Sequence, residues 1–235
     1  MSGTTVTLIP WDPESAEHSE RLIEQRIACG WHADQVKGSW REAQRAGTKC
    51  IYWLEIPKED PNYSSRMEAH LTAFPEQASN LLDTGAYVRG IERQPTNQPF
   101  NPVGHISIDT AWPGVDYLNL NTPAMGTIWI KSLYVSAPLQ SAGFGRAAMD
   151  ALEAMATSEP LCATTLMLDA VSKEDQMRKD FALEFYGYIP KMANEEWYCR
   201  RGYRVVKTVQ DFYIHTGAAK TDWDIKTVFM RKDIA

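Results

Sequence analysis

Residues 126–171 contain the pattern that most constrains the fold: an apolar strand, a glycine-containing turn, a helix and a second apolar strand. Gly126 to Ser136 has strand character, and apolar residues repeat at helical spacing after Gly143. Thr165 to Val171 is almost wholly apolar, as expected of a strand covered on both faces. A strand, helix and strand in succession form a right-handed crossover between parallel strands. The chain is therefore predicted to be an α/β protein.

Further strand and helix patterns flank this unit. Short alternating or apolar runs predict strands at Thr4 to Trp11, Cys50 to Ile56, Pro102 to Trp112, Tyr203 to Ile214 and Trp223 to Arg231. Helical patterns are found from Asp12-Pro13 to about Cys29, Ala33 to Ala46, Lys173 to Tyr186 and Asn194 to Arg201. Asp12 is a favoured N-cap residue and Pro13 a favoured first-turn residue, so the first helix is expected to begin there.

The region from about residue 60 to 100 interrupts this order. It contains one amphipathic stretch, Met67 to Leu82, which is interrupted at Pro75, and further prolines at Pro61, Pro95 and Pro99. We interpret the region as an insertion and not as a second domain. With 235 residues, the chain is long enough for one elaborated domain with its own core. A single domain spanning residues 1–235 is therefore predicted.

Charge and cysteine usage narrow the class of partner. The chain has 24 Lys and Arg against 30 Asp and Glu, a net charge of −6, which argues against a nucleic-acid partner and favours a cationic or neutral substrate. No signal peptide or membrane span is recognisable, so a soluble, cytoplasmic protein with no membrane partner is expected. The four cysteines lack metal-ligand spacing, and neither a metal site nor a disulfide framework is predicted.

A Gln-x-x-Gly-x-Gly segment, Gln140 to Gly145, joins the strand to the following helix. Glycines at such a junction let the backbone turn sharply and approach a ligand. The first N–H groups of a helix have no intrahelical partner and lie at the positive end of the helix dipole, so the junction suits a pyrophosphate. It is not a Walker A loop, and it lacks the third glycine of a Rossmann turn.

The flanking sequence makes this motif more specific. The piece resembles the signature of the GNAT superfamily of acyl-CoA-dependent N-acyltransferases, in which a strand ending Leu-x-Val leads to [Arg/Gln]-x-x-Gly-x-[Gly/Ala]. Leu133 and Val135 match the strand end, and Gln140, Gly143 and Gly145 match the loop. A second match is the segment from Trp197 to Tyr203, where Tyr198 occupies the position of the acid in many members.

The resemblance implies a mixed, largely antiparallel sheet flanked by helices, with a cleft between two diverging central strands. It implies an N-acetyltransferase that moves the acetyl group of acetyl-CoA directly to an amine, and we predict a small-molecule acceptor. Tyr198 is the predicted catalytic acid. The predicted acetyl-CoA-binding residues are Leu133, Tyr134, Val135, Gln140, Ser141, Ala142, Gly143, Phe144, Gly145 and Arg146. The oligomeric state stays open between monomer and homodimer.

Two departures from the family pattern leave other functions open. The stretch after the second apolar strand, LDAVSKEDQ, lacks the Asn of many members, and TIWIKS lacks the Glu that some members use as a base. A non-catalytic acyl-CoA-binding or sensor domain is therefore an alternative. A hydrolase that uses Cys199 as its nucleophile is a third possibility.

The amine site is less well defined by the sequence. His105 and Asp109 could hold or deprotonate an amine, or could form a hydrogen-bonded strand surface. Trp31, His32 and Trp40 could line an acceptor pocket, or could be core residues. The loop from His215 to Asp222 is a further candidate for the acceptor side.

Overall fold

The computed structural model describes residues 3–213, 215–216 and 222–234. The chain divides into two compact units. Unit 1 comprises residues 1–111 and 130–161, and unit 2 comprises residues 112–129 and 162–235. Within the described residues, no helix is long and apolar enough to cross a membrane.

The strands of the insertion and the pair β11 and β12 have two residues each, and the other strands are longer. In chain order they are β1 Thr7–Pro10, β2 Lys49–Glu55, β3 Leu81–Leu82, β4 Tyr87–Val88, β5 Ile91–Glu92, β6 Pro99–Phe100, β7 Gly104–Asp109, β8 Thr127–Val135, β9 Thr165–Val171, β10 Arg204–Gln210, β11 His215–Thr216, β12 Asp222–Trp223 and β13 Lys226–Asp233. The α-helices are α1 Ala16–Cys29, α2 Arg41–Arg45, α3 Tyr63–Ala73, α4 Phe144–Thr157, α5 Lys173–Gln176, α6 Lys179–Tyr186 and α7 Asn194–Arg200.

A mixed sheet of seven strands forms among the described residues, in the order β1-β2-β7-β8-β9-β13-β10. The pairs β1–β2, β2–β7, β9–β13 and β13–β10 are antiparallel. The pair β8–β9 is parallel, with its register running from Thr127 opposite Thr165 to Trp129 opposite Met167. The predicted α/β class, the mostly antiparallel sheet flanked by helices and the parallel crossover are confirmed.

Helix α1 of unit 1 begins later than the sequence predicts. Its N-cap is Ser15, whose side chain accepts a hydrogen bond from the His18 N–H, and not Asp12. Asp12 instead accepts hydrogen bonds from the Glu14 N–H at 2.9 Å and from the Thr84 hydroxyl at 2.7 Å. The helix ends at Gly30 with a φ of 85°, as the sequence indicates.

The helix predicted from Ala33 to Ala46 is wrong as one continuous helix. The chain forms a 3₁₀ turn at Ala33–Gln35, a π turn at Val36–Trp40 and then α2. Gly38 lies outside helical geometry, with φ −107° and ψ −110°. Glycine permits this kink, and periodicity alone does not reveal it.

The core of unit 1 joins β1 and β2 to the first helices and to the insertion. Its buried side chains include Trp11, Leu22, Val36, Trp40, Ile51, Trp53, Leu81 and Phe100. The last two of these belong to the insertion, which lies in unit 1. Its helix α3 ends ahead of Pro75, and short two-stranded ladders follow it. The amphipathic stretch Met67 to Leu82 is therefore interrupted at Pro75, as the sequence predicts.

Unit 2 contains a separate aromatic core. Val115, Leu118, Trp129, Met167 and Phe229 are its buried members. The helix predicted from Lys173 to Tyr186 is two helices, α5 and α6. Residues 217–221 of the candidate acceptor loop lie outside the described residues.

Candidate active site

The end of β8 is irregular where the sequence signature begins. Ser132 has a φ of 57° inside the strand, a left-handed conformation that is rare for non-glycine residues. Leu133 is then half-buried, and Tyr134 and Val135 are buried. No glycine or proline in this stretch indicates the distortion. The left-handed residue falls directly before the three residues predicted to bind the acyl-bearing end of acetyl-CoA.

Gly104, the first residue of β7, lies against the same strand end. A Cβ atom at this position would stand 2.2 Å from the carbonyl oxygen of Tyr134 and 3.1 Å from the Cα of Val135. Only glycine lets the two backbones approach so closely.

The loop after β8 is hydrogen-bonded back to the strand. The Gln140 side chain donates from Nε2 to the Val135 carbonyl at 3.1 Å. The N–H of Gln140 donates to the Ala137 carbonyl at 3.2 Å. Gln140 thus closes the turn, a structural contribution that accompanies the ligand role predicted from the motif.

Two left-handed residues then direct the chain into α4. Ser141 has a φ of 64° and Gly143 a φ of 92°. A Cβ at Gly143 would meet the Thr4 hydroxyl at 3.2 Å, and that hydroxyl donates to the Ala142 carbonyl at 2.8 Å. Thr4 therefore supports the loop, a contact that sequence reasoning missed. A substitution at Gly143 would disturb the loop itself as well as any ligand.

The N-terminus of α4 suits an anion. The N-cap position of this 14-residue helix is Gly143, and among the described residues no side chain caps it, so its first N–H groups are available to a ligand. Gly145 is half-buried, Arg146 is exposed, and the Phe144 side chain is only 1% exposed. Phe144 can therefore offer a ligand its backbone N–H but not its ring. These features fit the pyrophosphate predicted from the glycine motif.

Residues proposed for the acceptor side are largely occupied by contacts within unit 1. The Trp40 ring is buried, and the chain's own cations lie over it, the Arg26 guanidinium at 5.2 Å and the Lys49 amine at 4.6 Å from the centroid. The Trp40 indole N–H donates to the Gln35 side chain at 2.9 Å. Trp31 accepts a hydrogen bond from Arg26 at its carbonyl, 2.7 Å away. The geometry favours the core alternative for Trp40.

His105 and Asp109 also bind other groups of the chain. His105 is fully buried, with Nδ1 2.9 Å from the Gln25 amide oxygen. Burial, with smaller effects of the positive Arg26 and Lys49, holds the pKa of His105 well below its usual value. Asp109 forms a buried ion pair with Lys49 at 3.0 Å. This arrangement matches a hydrogen-bonded strand surface better than an amine-binding pair.

Tyr198, the predicted acid, lies on α7 in unit 2. Its half-buried ring packs edge-on against Trp197 at 5.0 Å and Tyr203 at 6.0 Å between centroids. The neighbouring Cys199 is exposed. Partial burial, followed by the charges of Glu195 and Glu196, raises the pKa of the Cys199 thiol. A raised thiol pKa reduces the thiolate fraction, which weakens the hydrolase alternative.

Unit 1 also has a cavity of about 450 Å³. It is lined by β1 and by insertion residues that include the paired Asp83 and Arg93, and it contains none of the predicted site residues. The α4 N-terminus, and not this cavity, has the geometry that matches the predicted pyrophosphate. In the part of the chain that the structure describes, no group of three or more His, Cys, Asp or Glu side chains could hold a metal ion.

Comparisons with known proteins place this geometry in context. The fold is similar to Arabidopsis thaliana NAA60 in complex with a bisubstrate analogue, with a TM-score of 0.54 at 11% identity, covering 98% of this chain and 100% of that chain. It is also similar to an aminoglycoside 6'-N-acetyltransferase complexed with coenzyme A, with a TM-score of 0.50 at 13% identity and 97% of each chain covered. At these identities the likeness shows the fold alone.

Sequence comparison identifies the family. No curated protein sequence matches the chain significantly. The model of the acetyltransferase (GNAT) family matches residues 48–188, which is more than half of the chain and includes β8, the glycine loop and α4. The sequence resemblance is thereby confirmed, and this chain belongs to the GNAT family of acetyltransferases.

Proposed function

We propose that this protein transfers the acetyl group of acetyl-CoA directly to the amine of a small molecule. The observation that carries the proposal is the uncapped N-terminus of α4, reached through left-handed turns at Ser141 and Gly143 directly after the β8 signature. Acetyl-CoA is the co-substrate of the family, and NAA60 has been solved with it bound.

The residues of unit 1 would hold the co-substrate along its length. The first N–H groups of α4 would bind the pyrophosphate, with Arg146 exposed beside them. The backbone of Leu133 to Val135 would orient the pantetheine arm and thioester. Holding both substrates together makes the transfer effectively unimolecular, and backbone N–H groups could stabilise charge that develops on the thioester oxygen.

The transfer itself requires two proton movements. A nitrogen–carbon bond forms as the carbon–sulfur bond breaks, the amine loses a proton and the CoA thiolate gains one. An alkylamine of pKa about 10.4 is neutral in only about one molecule per 2,500 at pH 7, so a base or water chain must accept its proton. Tyr198 would donate a hydrogen bond to the departing sulfur. Full proton transfer from a tyrosine of pKa about 10 to a thiolate of pKa about 8.5 is uphill, so its contribution is modest.

The net charge of −6 supports a cationic amine as acceptor. A specific observation favours a second function: β8 carries no carboxylate in the stretch Thr127 to Ser132, where some family members keep a Glu base. A non-catalytic acetyl-CoA sensor would bind the co-substrate without turnover. Screening a panel of amines for CoA release separates the two, because a sensor releases CoA with none of them.

Ser141 offers a sharp test of co-substrate binding. Asp and Asn are nearly equal in size and both tolerate the left-handed conformation seen at Ser141. Ser141→Asp places a negative charge beside the predicted pyrophosphate, whereas Ser141→Asn does not. Because Ser141 is exposed and an acidic residue near a helix N-terminus is stabilising, both variants should fold.

The expected result in calorimetric titrations is a loss of at least about tenfold in acetyl-CoA affinity for Ser141→Asp, equivalent to about 1.4 kcal/mol, with near wild-type affinity for Ser141→Asn. Equal acetyl-CoA affinities in the two variants would contradict the prediction that the α4 N-terminus binds the pyrophosphate. No binding of acetyl-CoA by the wild-type protein would reject the function as a whole.

A further inference from the structure

The insertion has no function assigned by the sequence signature, yet its helix α3 packs against the segment that joins β8 to α4. The contact is with the 3₁₀ turn Ala137–Leu139, which directly precedes the glycine loop. Both segments belong to unit 1. Two side chains of α3, His70 and Arg66, make contacts on either side of this turn and glycine loop.

His70 is hydrogen-bonded to Ser136, the residue that follows β8. Its Nδ1 lies 2.8 Å from the Ser136 hydroxyl, and the two residues are 1% and 0% exposed. The other ring nitrogen, Nε2, is buried and has no hydrogen-bond partner among the described residues. Among the described residues, the polar contact of the His70 ring is therefore with Ser136, which lies between the two groups of residues predicted to bind acetyl-CoA.

All three polar groups of Ser136 are engaged. Its N–H donates to the Val103 carbonyl at 2.8 Å, and its carbonyl accepts from the Leu139 N–H at 2.9 Å. The hydroxyl is left for His70. Ser136 thus links Val103, the residue before β7, to the 3₁₀ turn and to α3 at the point where β8 ends.

A second contact reaches the start of α4. The Arg66 guanidinium lies over the Phe144 ring, 4.9 Å from its centroid, and is itself held by a salt bridge to Asp60. Phe144 is the first residue of α4, and its ring is almost fully buried. α3 therefore contacts both ends of the loop that contains Gln140 and Gly143.

We propose that His70 is a positioning residue for acetyl-CoA binding, acting through Ser136 to fix the end of β8 and the turn into the α4 N-terminus. This inference rests on the proposed function. It gives the insertion the role of a support for the co-substrate site. A backbone-built site depends on such support, because N–H groups bind a phosphate only when the chain already holds them in the required direction.

The charges around His70 are consistent with a neutral ring. Burial, with a smaller effect of the positive Arg21, lowers the pKa of His70 to about 4, while Glu76 acts in the opposite direction. The hydrogen bond to Ser136 therefore persists unchanged from pH 6 to 8. Co-substrate affinity should not titrate with His70 in that range.

The test uses variants that separate the hydrogen bond from the general stability of α3. His70→Ala and Ser136→Ala each remove one partner. His70→Asn is the conservative variant, because the Asn amide nitrogen takes nearly the position of Nδ1, whereas the His70→Gln amide reaches toward the unpartnered Nε2. Glu68→Gly, at an exposed position of α3, weakens the helix but leaves the hydrogen bond between His70 and Ser136 in place, and it serves as the matched control.

The readouts are the CoA dissociation constant by calorimetry, KM and kcat with acetyl-CoA, and the unfolding midpoint without ligand. His70→Ala and Ser136→Ala should each weaken CoA binding and raise the KM for acetyl-CoA about five- to tenfold, the effect of one hydrogen bond, with kcat unchanged. The double variant should lose no more than either single one. His70→Asn should recover most of the affinity, and His70→Gln should not.

Several outcomes would overturn the proposal. Wild-type CoA affinity in a folded His70→Ala or Ser136→Ala protein would do so, as would equal losses in His70→Asn and His70→Ala or an affinity loss in Glu68→Gly of the same size. Should His70→Ala not fold, the isosteric Ser136→Ala decides alone. Failure of the wild-type protein to bind CoA rejects the proposed function instead, so the two failures are distinguishable.

Discussion

Gly104→Ala should destabilise the protein more than any ordinary glycine-to-alanine change. The added methyl would lie 2.2 Å from the Tyr134 carbonyl oxygen, more than 1 Å inside the roughly 3.5 Å of a normal carbon contact. Leu54 Cδ1, at 3.2 Å, closes another side of the site. The atom that must yield belongs to the backbone of β8, so no side-chain rotation relieves the clash.

The size of the effect follows from this geometry. Overpacking a tight core costs roughly 1–3 kcal/mol, and the backbone clash places Gly104→Ala at the upper end, about 3 kcal/mol. For a chain of this length that corresponds to a fall in melting temperature of about 6–12 °C. Displacement of Tyr134 and Val135 should also weaken acetyl-CoA binding, because their backbone belongs to the proposed site.

Gly85→Ala is the matched control in unit 1. Gly85 is buried, but its nearest neighbour to an added Cβ is the Pro10 carbonyl oxygen at 3.5 Å, an ordinary contact. The melting temperature of the Gly85→Ala variant should equal that of the wild type or be slightly higher, because alanine reduces the conformational entropy of the unfolded chain. Thermal unfolding followed by circular dichroism measures both variants. A Gly104→Ala protein that melts with the wild type would refute the close approach of β7 to β8 and the reasoning built on it.

Two further predictions concern protons. Burial lowers the pKa values of His18, His70 and His105, so their neutral forms stabilise the fold fully above pH 6.5, and this stability is lost as the pH falls toward the depressed values. For His70, a pKa of about 4 against 6.5 in the unfolded chain lowers the free energy of unfolding by about 2 kcal/mol at pH 5. Urea unfolding at pH 5 and pH 7 measures the decrease. An unchanged free energy of unfolding would contradict the burial argument. Tyr198→Phe keeps the ring contacts with Trp197 and Tyr203 and should lower kcat about a hundredfold while leaving acetyl-CoA affinity intact. Wild-type kcat in that variant would dismiss Tyr198 as the acid.

The elements that sequence reasoning placed correctly are those whose local signals and burial agree. The strand Thr165–Val171 appears with the predicted bounds, because an apolar run between polar ends fits a strand buried on both faces. Helix α4 begins one residue after Gly143, and α1 ends at Gly30, because glycine alone adopts the left-handed conformation there without strain. The glycine loop was predicted for the same reason.

The predictions of local structure are wrong where two residues could each begin a helix, or where a residue distant in sequence determines which of them does. Asp12 and Ser15 are both good N-caps, and the structure uses Ser15 because Thr84 of the insertion engages the Asp12 carboxylate. Helical periodicity continues across Gly38, although the backbone breaks there. The left-handed conformation of Ser132 falls on a residue that is neither glycine nor asparagine, so the sequence does not indicate it. The choice of Ser15 as N-cap thus depends on a contact that is remote in sequence.

The insertion consists of short elements interrupted by prolines, yet it contributes to the structure around the proposed co-substrate site. Its polar groups are hydrogen-bonded to the rest of unit 1. The Leu82 carbonyl is 2.9 Å from His18 Nε2, and the His70 ring is hydrogen-bonded to the Ser136 hydroxyl. Leu81 and Phe100 complete the apolar core around Trp53. Removing the segment would therefore take away the partner of the Ser136 hydroxyl and expose the apolar core around Trp53 to water. An insertion that forms hydrogen bonds with buried groups in the rest of unit 1 is expected to fold together with them. Through His70 and Ser136 it can also hold the glycine loop in place.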